Sequence, residues 1–288
     1  MREHILGLEG VTSLDIDERY NQITLGIEDL ARQQEFKDKI LTLGIPESAI
    51  RFIEEGPATC ELRNYRNDLA GGLKIEDCTL GPVALRNGVK GFIVNSHCTD
   101  IRGAVDNEFF YQPDGPFSVI AVEIVDPPYF TGSPCPGGMQ CAYADAAFAQ
   151  WGEIRTWRLG RIHETQYSGH SSGSINSIGA NFIIQTSTVW PYPGQPVEKM
   201  GKKTGWTFGN VTQTNVDISV FGTNIYMLSQ IAADYGSDFG DSGSPVFEIL
   251  FNKNVSLLGI HWGGSASTKY FSYSGFIINH LGGSISFK

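Results

Sequence analysis

The chain has 288 residues, enough for one ordinary enzyme-sized domain and a smaller piece, and 41% of them are hydrophobic, ample for packed cores. Its 31 acidic against 21 basic side chains give a formal net charge of −10, which argues against nucleic acid as a partner and for good solubility. No apolar run is long enough to cross a membrane, and there is neither a tandem repeat nor a low-complexity segment.

In chain order, residues 1–66 read differently from the rest. Gln22 to Ile27 alternates like a strand, and Asp29 to Leu43 reads as a helix with Phe36, Ile40 and Leu43 on one face. Gly44 stops that helix, Pro46 opens a turn, and Ala49 to Glu54 predicts a second strand, so the segment is a small β-α-β unit. Its opening, Met1-Arg2-Glu3-His4, has no apolar stretch of the kind a secretory signal carries.

Five cysteines follow. Cys78 and Cys98 flank a hairpin, Val83 to Val94, whose Asn87-Gly88 is a strong tight-turn signal. Cys135 and Cys141 enclose a short Pro/Gly loop and can bridge, although connectivity does not follow from sequence. Cys60 is left over. Five free thiols in a cytosolic protein is one reading; an oxidising, extracellular setting is the one adopted here.

From Phe117 onward the chain predicts short strands with Gly/Pro/Asn punctuation: Val119–Val125, Arg155–Ile162, Phe182–Val189, Val216–Phe221, Ile225–Ile231 and Pro245–Leu250. His163-Glu164-Thr165-Gln166-Tyr167 approaches the zinc pattern His-Glu-x-x-His and fails at Tyr167, so no metal is assigned.

Three stretches carry chemistry. Gly240-Asp241-Ser242-Gly243-Ser244 places a serine between two glycines, the setting of a nucleophile. Glycine freedom there lets the amides of Gly240 and Ser242 point at one developing oxyanion. His97 ends an apolar strand, Gly91 to Val94, and is followed by Cys98, which suits a base held on a loop. Asp145 is a lone carboxylate in the small apolar run Cys141 to Ala149, and a carboxylate there needs a partner. A histidine that donates one ring N–H to Asp145 and accepts the Ser242 proton on its other nitrogen satisfies both groups.

The order His, Asp, Ser, together with Gly71-Gly72 before Cys78, Val94 to Cys98, Tyr143 to Ala147, Lys199 to Gly209 and the Ser242 block, resembles the chymotrypsin-fold serine proteases. The nearest group is the secreted bacterial α-lytic proteases and streptogrisins, and the resemblance runs over residues 68–288. It implies an all-β domain, 67–288, of two six-stranded antiparallel β-barrels with the site between them, preceded by a pro-region-like α+β segment and linker, 1–66, that is processed between Glu55 and Gly71. It also implies a bonded Cys78–Cys98 pair. The function expected is a secreted serine endopeptidase, most simply a monomer, acting on polypeptides with no cofactor and engaging its own N-terminal pro-region. The alternative is a catalytically silent protease-like binding protein or toxin.

The chain also departs from that group. The positions matching its other disulfides are Glu198, Phe208 and Gly236, and the arginine that neutralises the aspartate before the nucleophile falls on Lys199, so Lys199 is expected either to pair with Asp241 or to be a solvated surface lysine. Gly259-Ile260-His261-Trp262-Gly263-Gly264 resembles the corresponding segment of the staphylococcal glutamyl endopeptidases. Ser237, His261, Trp262 and Gly263 are therefore candidate substrate-binding residues, with a histidine and a hydroxyl able to bind a glutamate side chain and Asp238 able to oppose it if it faces inward. Gly236, where trypsins carry an acidic pocket floor, speaks against cleavage after Arg or Lys.

Overall fold

The computed structural model describes residues 5, 8–17, 22–54, 62–115, 118–152 and 155–288. Cys60 lies outside them. The chain divides into two compact units, Met1–Thr59 and Cys60–Lys288.

In the first unit the alternating stretch Gln22–Ile27 is a central strand, antiparallel to Val11–Asp17 and parallel to Ile50–Glu54. The parallel pair needs a crossover, which the helical segment between them supplies. That segment is shorter and less uniform than its periodicity suggests. Asp29 accepts the Ala31 N–H at 2.8 Å and starts a 3-10 turn, Leu30–Arg32, and the α-helix proper spans Gln33–Leu41. Phe36 and Ile40 are buried, and Ile40 joins Leu25 and Ile45 in a core belonging to this unit. The strand Val11–Asp17 was not anticipated, although its Thr12, Leu14 and Ile16 recur with period two.

The second unit is all-β apart from short helical turns and one C-terminal helix, Ser274–Leu281. Its first sheet is antiparallel and six-stranded, in the order Ile285–Ser286, Val83–Arg86, Val89–Val94, Ala147–Trp151, Val119–Val125, Phe109–Tyr111. The Asn87-Gly88 hairpin forms where expected, with Asn87 and Gly88 both at positive φ. The second barrel closes on itself through six antiparallel strands: Pro196–Gly201, Gly205–Ser219, Ile225–Ala233, Lys269–Tyr273, Asn254–Gly264 and Pro245–Phe251, the last pairing back to the first. Closure gives every strand of the ring a partner on both sides over part of its length.

Several strands run differently from expectation. Arg155–Ile162 is realised as Thr156–Thr165, Phe182–Val189 as Ser177–Thr186, and Val216–Phe221 is only the tail of the long strand Gly205–Ser219. The bounds follow the partner strands rather than local composition: Ile183 and Ile184 align with Asn254 and Val255, which pulls that strand towards the N-terminus. Leu62, upstream of the first strand of this unit, is fully buried in its core, and its N–H donates to the Ile175 carbonyl at 2.8 Å.

Two disulfides are present, Cys78–Cys98 and Cys135–Cys141. The first closes a separation of 20 residues around the Val83–Val94 hairpin. Replacing both Cys78 and Cys98 by alanine is expected to cost about 3 kcal/mol through the loop entropy restored to the unfolded chain, read as a fall in the urea midpoint together with a steeper slope, because the unlinked unfolded chain exposes more surface.

Candidate active site

His97 sits in a 3-10 turn, Ser96–Cys98, at the end of the apolar strand Val89–Val94. Asp145 precedes the neighbouring strand Ala147–Trp151, which pairs with Val89–Val94 through Ala147 and Val94, so sheet register delivers the carboxylate to the histidine. The His97 ring Nδ1 lies 2.5 Å from Asp145 Oδ2, and the His97 backbone N–H donates to Oδ1 at 3.1 Å. Asp145 is buried. Burial pushes its carboxyl up, but the His97 charge and hydrogen bond, the Arg102 charge and the His97 amide outweigh this and hold it below the usual aspartate range.

Residues that motif reading missed complete this group. Asn95 Nδ2 donates to the Asp145 carbonyl at 2.7 Å, and the Tyr129 hydroxyl reaches Oδ1 at 3.4 Å. From the second barrel, Ser272 Oγ accepts the Asp145 N–H at 3.1 Å and donates to Gln230 Oε1 at 3.0 Å, which also takes Trp262 Nε1 at 2.8 Å. Ser272, on the strand paired with Asn254–Gly264, thus supports Asp145 from the other sheet. No local sequence signal marks it, because the contact spans 127 residues.

The Gly240–Ser244 turn is built around Asp241. Its carboxylate accepts Lys199 Nζ at 2.8 Å, Thr204 Oγ1 at 2.6 Å and the backbone N–H groups of Lys203, Thr204 and Asp238 at 2.8, 3.3 and 3.1 Å. Lys199 and Asp241 are both 0% exposed, so the surface-lysine reading of Lys199 does not hold and the pairing reading does. Burial works against the carboxylate, yet the Lys199 charge and these hydrogen bonds hold Asp241 at about 2. Gly240 and Gly243 take φ of +102° and +89°, a region that favours glycine. A Cβ on Gly243 would lie 2.2 Å from the Thr79 carbonyl oxygen.

Thr79 fastens this turn to the His97 loop. Its N–H donates to the Ser242 carbonyl at 2.7 Å and its hydroxyl to the Gly240 carbonyl at 2.9 Å, and the adjacent Cys78 is bonded to Cys98 beside His97. His97, Gly240 and Ser242 accordingly line one cleft of about 450 Å³. Among the described residues the N–H groups of Gly240 and Ser242 donate no hydrogen bond, whereas that of Gly243 is taken by the His261 carbonyl at 2.8 Å. Ser242 Oγ and His97 line the same cleft without a hydrogen bond to each other.

None of the candidate substrate-binding residues lines that cleft: His261, Trp262 and Gly263 belong to the strand Asn254–Gly264, and Ser237 precedes the Gly240–Ser244 turn in sequence. Pairing with Pro245–Phe251 ends at Ile260, so Gly263 and Gly264 are bonded to Lys269–Tyr273 on one edge only among the described residues. His261 is 3% exposed, and its Nδ1 lies 3.2 Å from the hydroxyl of buried Tyr235. Burial, then the Lys199 charge, pushes His261 down to about 3, so it is a neutral imidazole. Ser237 is half-buried, Asp238 is exposed with its own carboxylate taken by the Phe239 N–H at 2.7 Å, and the Cβ position of Gly263 faces open space. The group whose ligand atoms crowd within 4.8 Å, Cys78, His97 and Cys98, has both sulfurs in a disulfide and so offers no thiolate.

No protein-family model matches the chain, and no curated protein does. Among solved structures it is similar to protease A of Thermobifida fusca, with 16% identity over 74% of this chain and 95% of that one and a TM-score of 0.52. It is also similar to a Nocardiopsis protease, with 18% identity over 74% of this chain and 96% of that one and a TM-score of 0.53. At these identities the likeness shows the fold, a chymotrypsin-like double barrel.

The Lys199–Asp241 pair generates two predictions. Lys199→Ala leaves Asp241 buried without its counter-charge and is expected to cost about 3 to 5 kcal/mol in chemical denaturation. Because Asp241 is held at about 2 against 3.8 when free, its contribution is complete above about pH 4 and fades as pH falls through about 2. The native protein should therefore lose more stability between pH 5 and pH 2 than a Lys199→Met/Asp241→Leu variant, measured by urea midpoints along that series.

Proposed function

We propose that the protein is a serine endopeptidase working through His97, Asp145 and Ser242 and an acyl-enzyme intermediate. The observation that carries this reading is the cleft shared by His97, Gly240 and Ser242, with the His97 ring tied to buried Asp145. As Ser242 Oγ bonds to the scissile carbonyl carbon, His97 Nε2 takes its proton, and the imidazolium so formed is held by Asp145. The carbonyl oxygen becomes an oxyanion between the amides of Gly240 and Ser242, which have no other acceptor among the described residues. His97 then gives its proton to the departing amine, and water repeats the sequence on the acyl-enzyme to release the acid and restore Ser242.

The acyl half of the substrate would add as a strand to the free edge at Trp262–Gly264. A preference for glutamate before the cleaved bond is supported by one of the two tautomers open to His261: if the Tyr235 hydroxyl donates to Nδ1, the proton sits on Nε2 and is available to a substrate carboxylate. Asp238, the carboxylate that would oppose a glutamate, is exposed and bonds the Phe239 amide. The two disulfides fit an extracellular enzyme, and the first unit, with a core of its own, fits a pro-region removed in maturation.

A fluorophosphonate probe followed by intact mass tests the reading: one adduct is expected on the active chain and none on Ser242→Ala, whose turnover should fall by at least about four orders of magnitude. A folded chain that takes no probe at any stage of incubation refutes the enzyme and favours a silent binding protein. Labelling only after a mass loss matching the first unit supports the pro-region, and labelling at full length makes that unit a permanent accessory. In a peptide library, cleavage should follow glutamate, and His261→Ala should lower kcat/KM for the glutamate peptide by more than tenfold relative to its glutamine counterpart, about the effect of losing one hydrogen bond to a charged group.

A further inference from the structure

The cleft at Ser242 has a wall that the proposed chemistry leaves unused. Ser237, His261, Trp262 and Gly263 do not line it, so with the acyl half of a substrate on the Trp262–Gly264 edge, the half beyond the scissile bond must cross Ser242 into this space. There it meets Glu76, Asp77, Asp100 and Glu108, with no lysine or arginine among the lining residues and Phe239, 87% exposed, at the rim.

These carboxylates are fixed by the same devices that build the site. Asp77 precedes Cys78 and Asp100 follows Cys98 by two residues, so the disulfide beside His97 clamps both. Glu76 sits at φ +44°, and its N–H donates to the Pro113 carbonyl at 3.0 Å. Two lysines stand near the wall without lining the cleft, and of these Lys202 feels the Asp77 charge. Lys202 is 8% exposed and its ammonium bonds the Glu76 backbone carbonyl, and Lys74 is paired with Asp114. Burial, followed by the charges of Glu108, Asp77, Asp114 and Asp100, raises Glu76 to about 7, and Glu108 is pushed up by burial and Asp100. Like charges crowded at a concave, half-buried surface are relieved by an entering cation.

Resting on the endopeptidase reading, we propose that this wall selects substrates carrying lysine or arginine in the first two residues after the scissile bond. The enzyme would then read opposite features on the two sides of the cut, through His261 before it and the carboxylate wall after it.

The test uses internally quenched peptides identical except for Lys, Ala or Glu in the two positions following a common cleavage point, with the cut located by mass. The expected order of kcat/KM is Lys, then Ala, then Glu, with Lys above Glu by roughly thirtyfold at low ionic strength and the gap closing as salt shortens the screening length. A Glu76→Gln/Glu108→Gln variant, checked for native circular dichroism, should narrow that ratio to about fivefold or less. Equal cleavage of the Lys and Glu peptides by a protein that takes the fluorophosphonate and hydrolyses a p-nitroanilide, which has no residue beyond the bond, overturns this proposal alone. So does a double variant that keeps the full ratio. Failure of labelling and of every substrate overturns the endopeptidase reading and this inference with it.

Discussion

The second unit depends on a buried charge pair. Lys199 and Asp241 are withdrawn from water completely, and such a pair adds little net stability over apolar residues of the same size, because desolvation consumes most of the attraction. Its value is geometric. Asp241 has more acceptor capacity than one lysine can use, and the surplus is spent on the amides of Asp238, Lys203 and Thr204 and on the Thr204 hydroxyl. The turn is therefore fixed from three directions, and Ser242 is presented with its own amide and that of Gly240 left without acceptors among the described residues. A hydrophobic pair would fill the space without orienting any of these groups.

The second anchor works across the two barrels. The His97–Asp145 pair belongs to the first sheet by its strands, yet the Asp145 amide is received by Ser272 of the second, and Thr79 carries the Ser242 turn back to the disulfide beside His97. Each half of the site is thus braced by the other half of the unit. This coupling follows from the two-barrel layout, where side chains from distant sequence positions meet only at the seam and must be held against relative drift there.

The same constraint explains which residues were legible. His97, Asp145 and Ser242 each carry a local signal: a titratable or nucleophilic side chain in an apolar or glycine-flanked run, which burial makes costly without a partner. Ser272, Gln230, Tyr129 and Thr79 carry none, because a serine, glutamine, tyrosine or threonine within a strand or loop is unremarkable until its distant partner is known. Lys199 stood between two readings, since a lysine in an alternating strand is solvated on one face and buried on the other, and only pairing of Lys199 with Val246 and Thr207 decides which.

The sequence alone determined the β-rich class of residues 67–288, the hairpin at Asn87-Gly88, the β-α-β character of Gln22–Glu54 and the three residues offered for catalysis, because turn chemistry, periodicity and isolated polar groups act over a few positions. The tertiary structure decided where strands such as Ser177–Thr186 begin and end, the closure of the second barrel, the orientation of Lys199 and the carboxylate wall facing Ser242. These depend on register, closure and desolvation, which are properties of pairs of segments brought together from far apart in the chain.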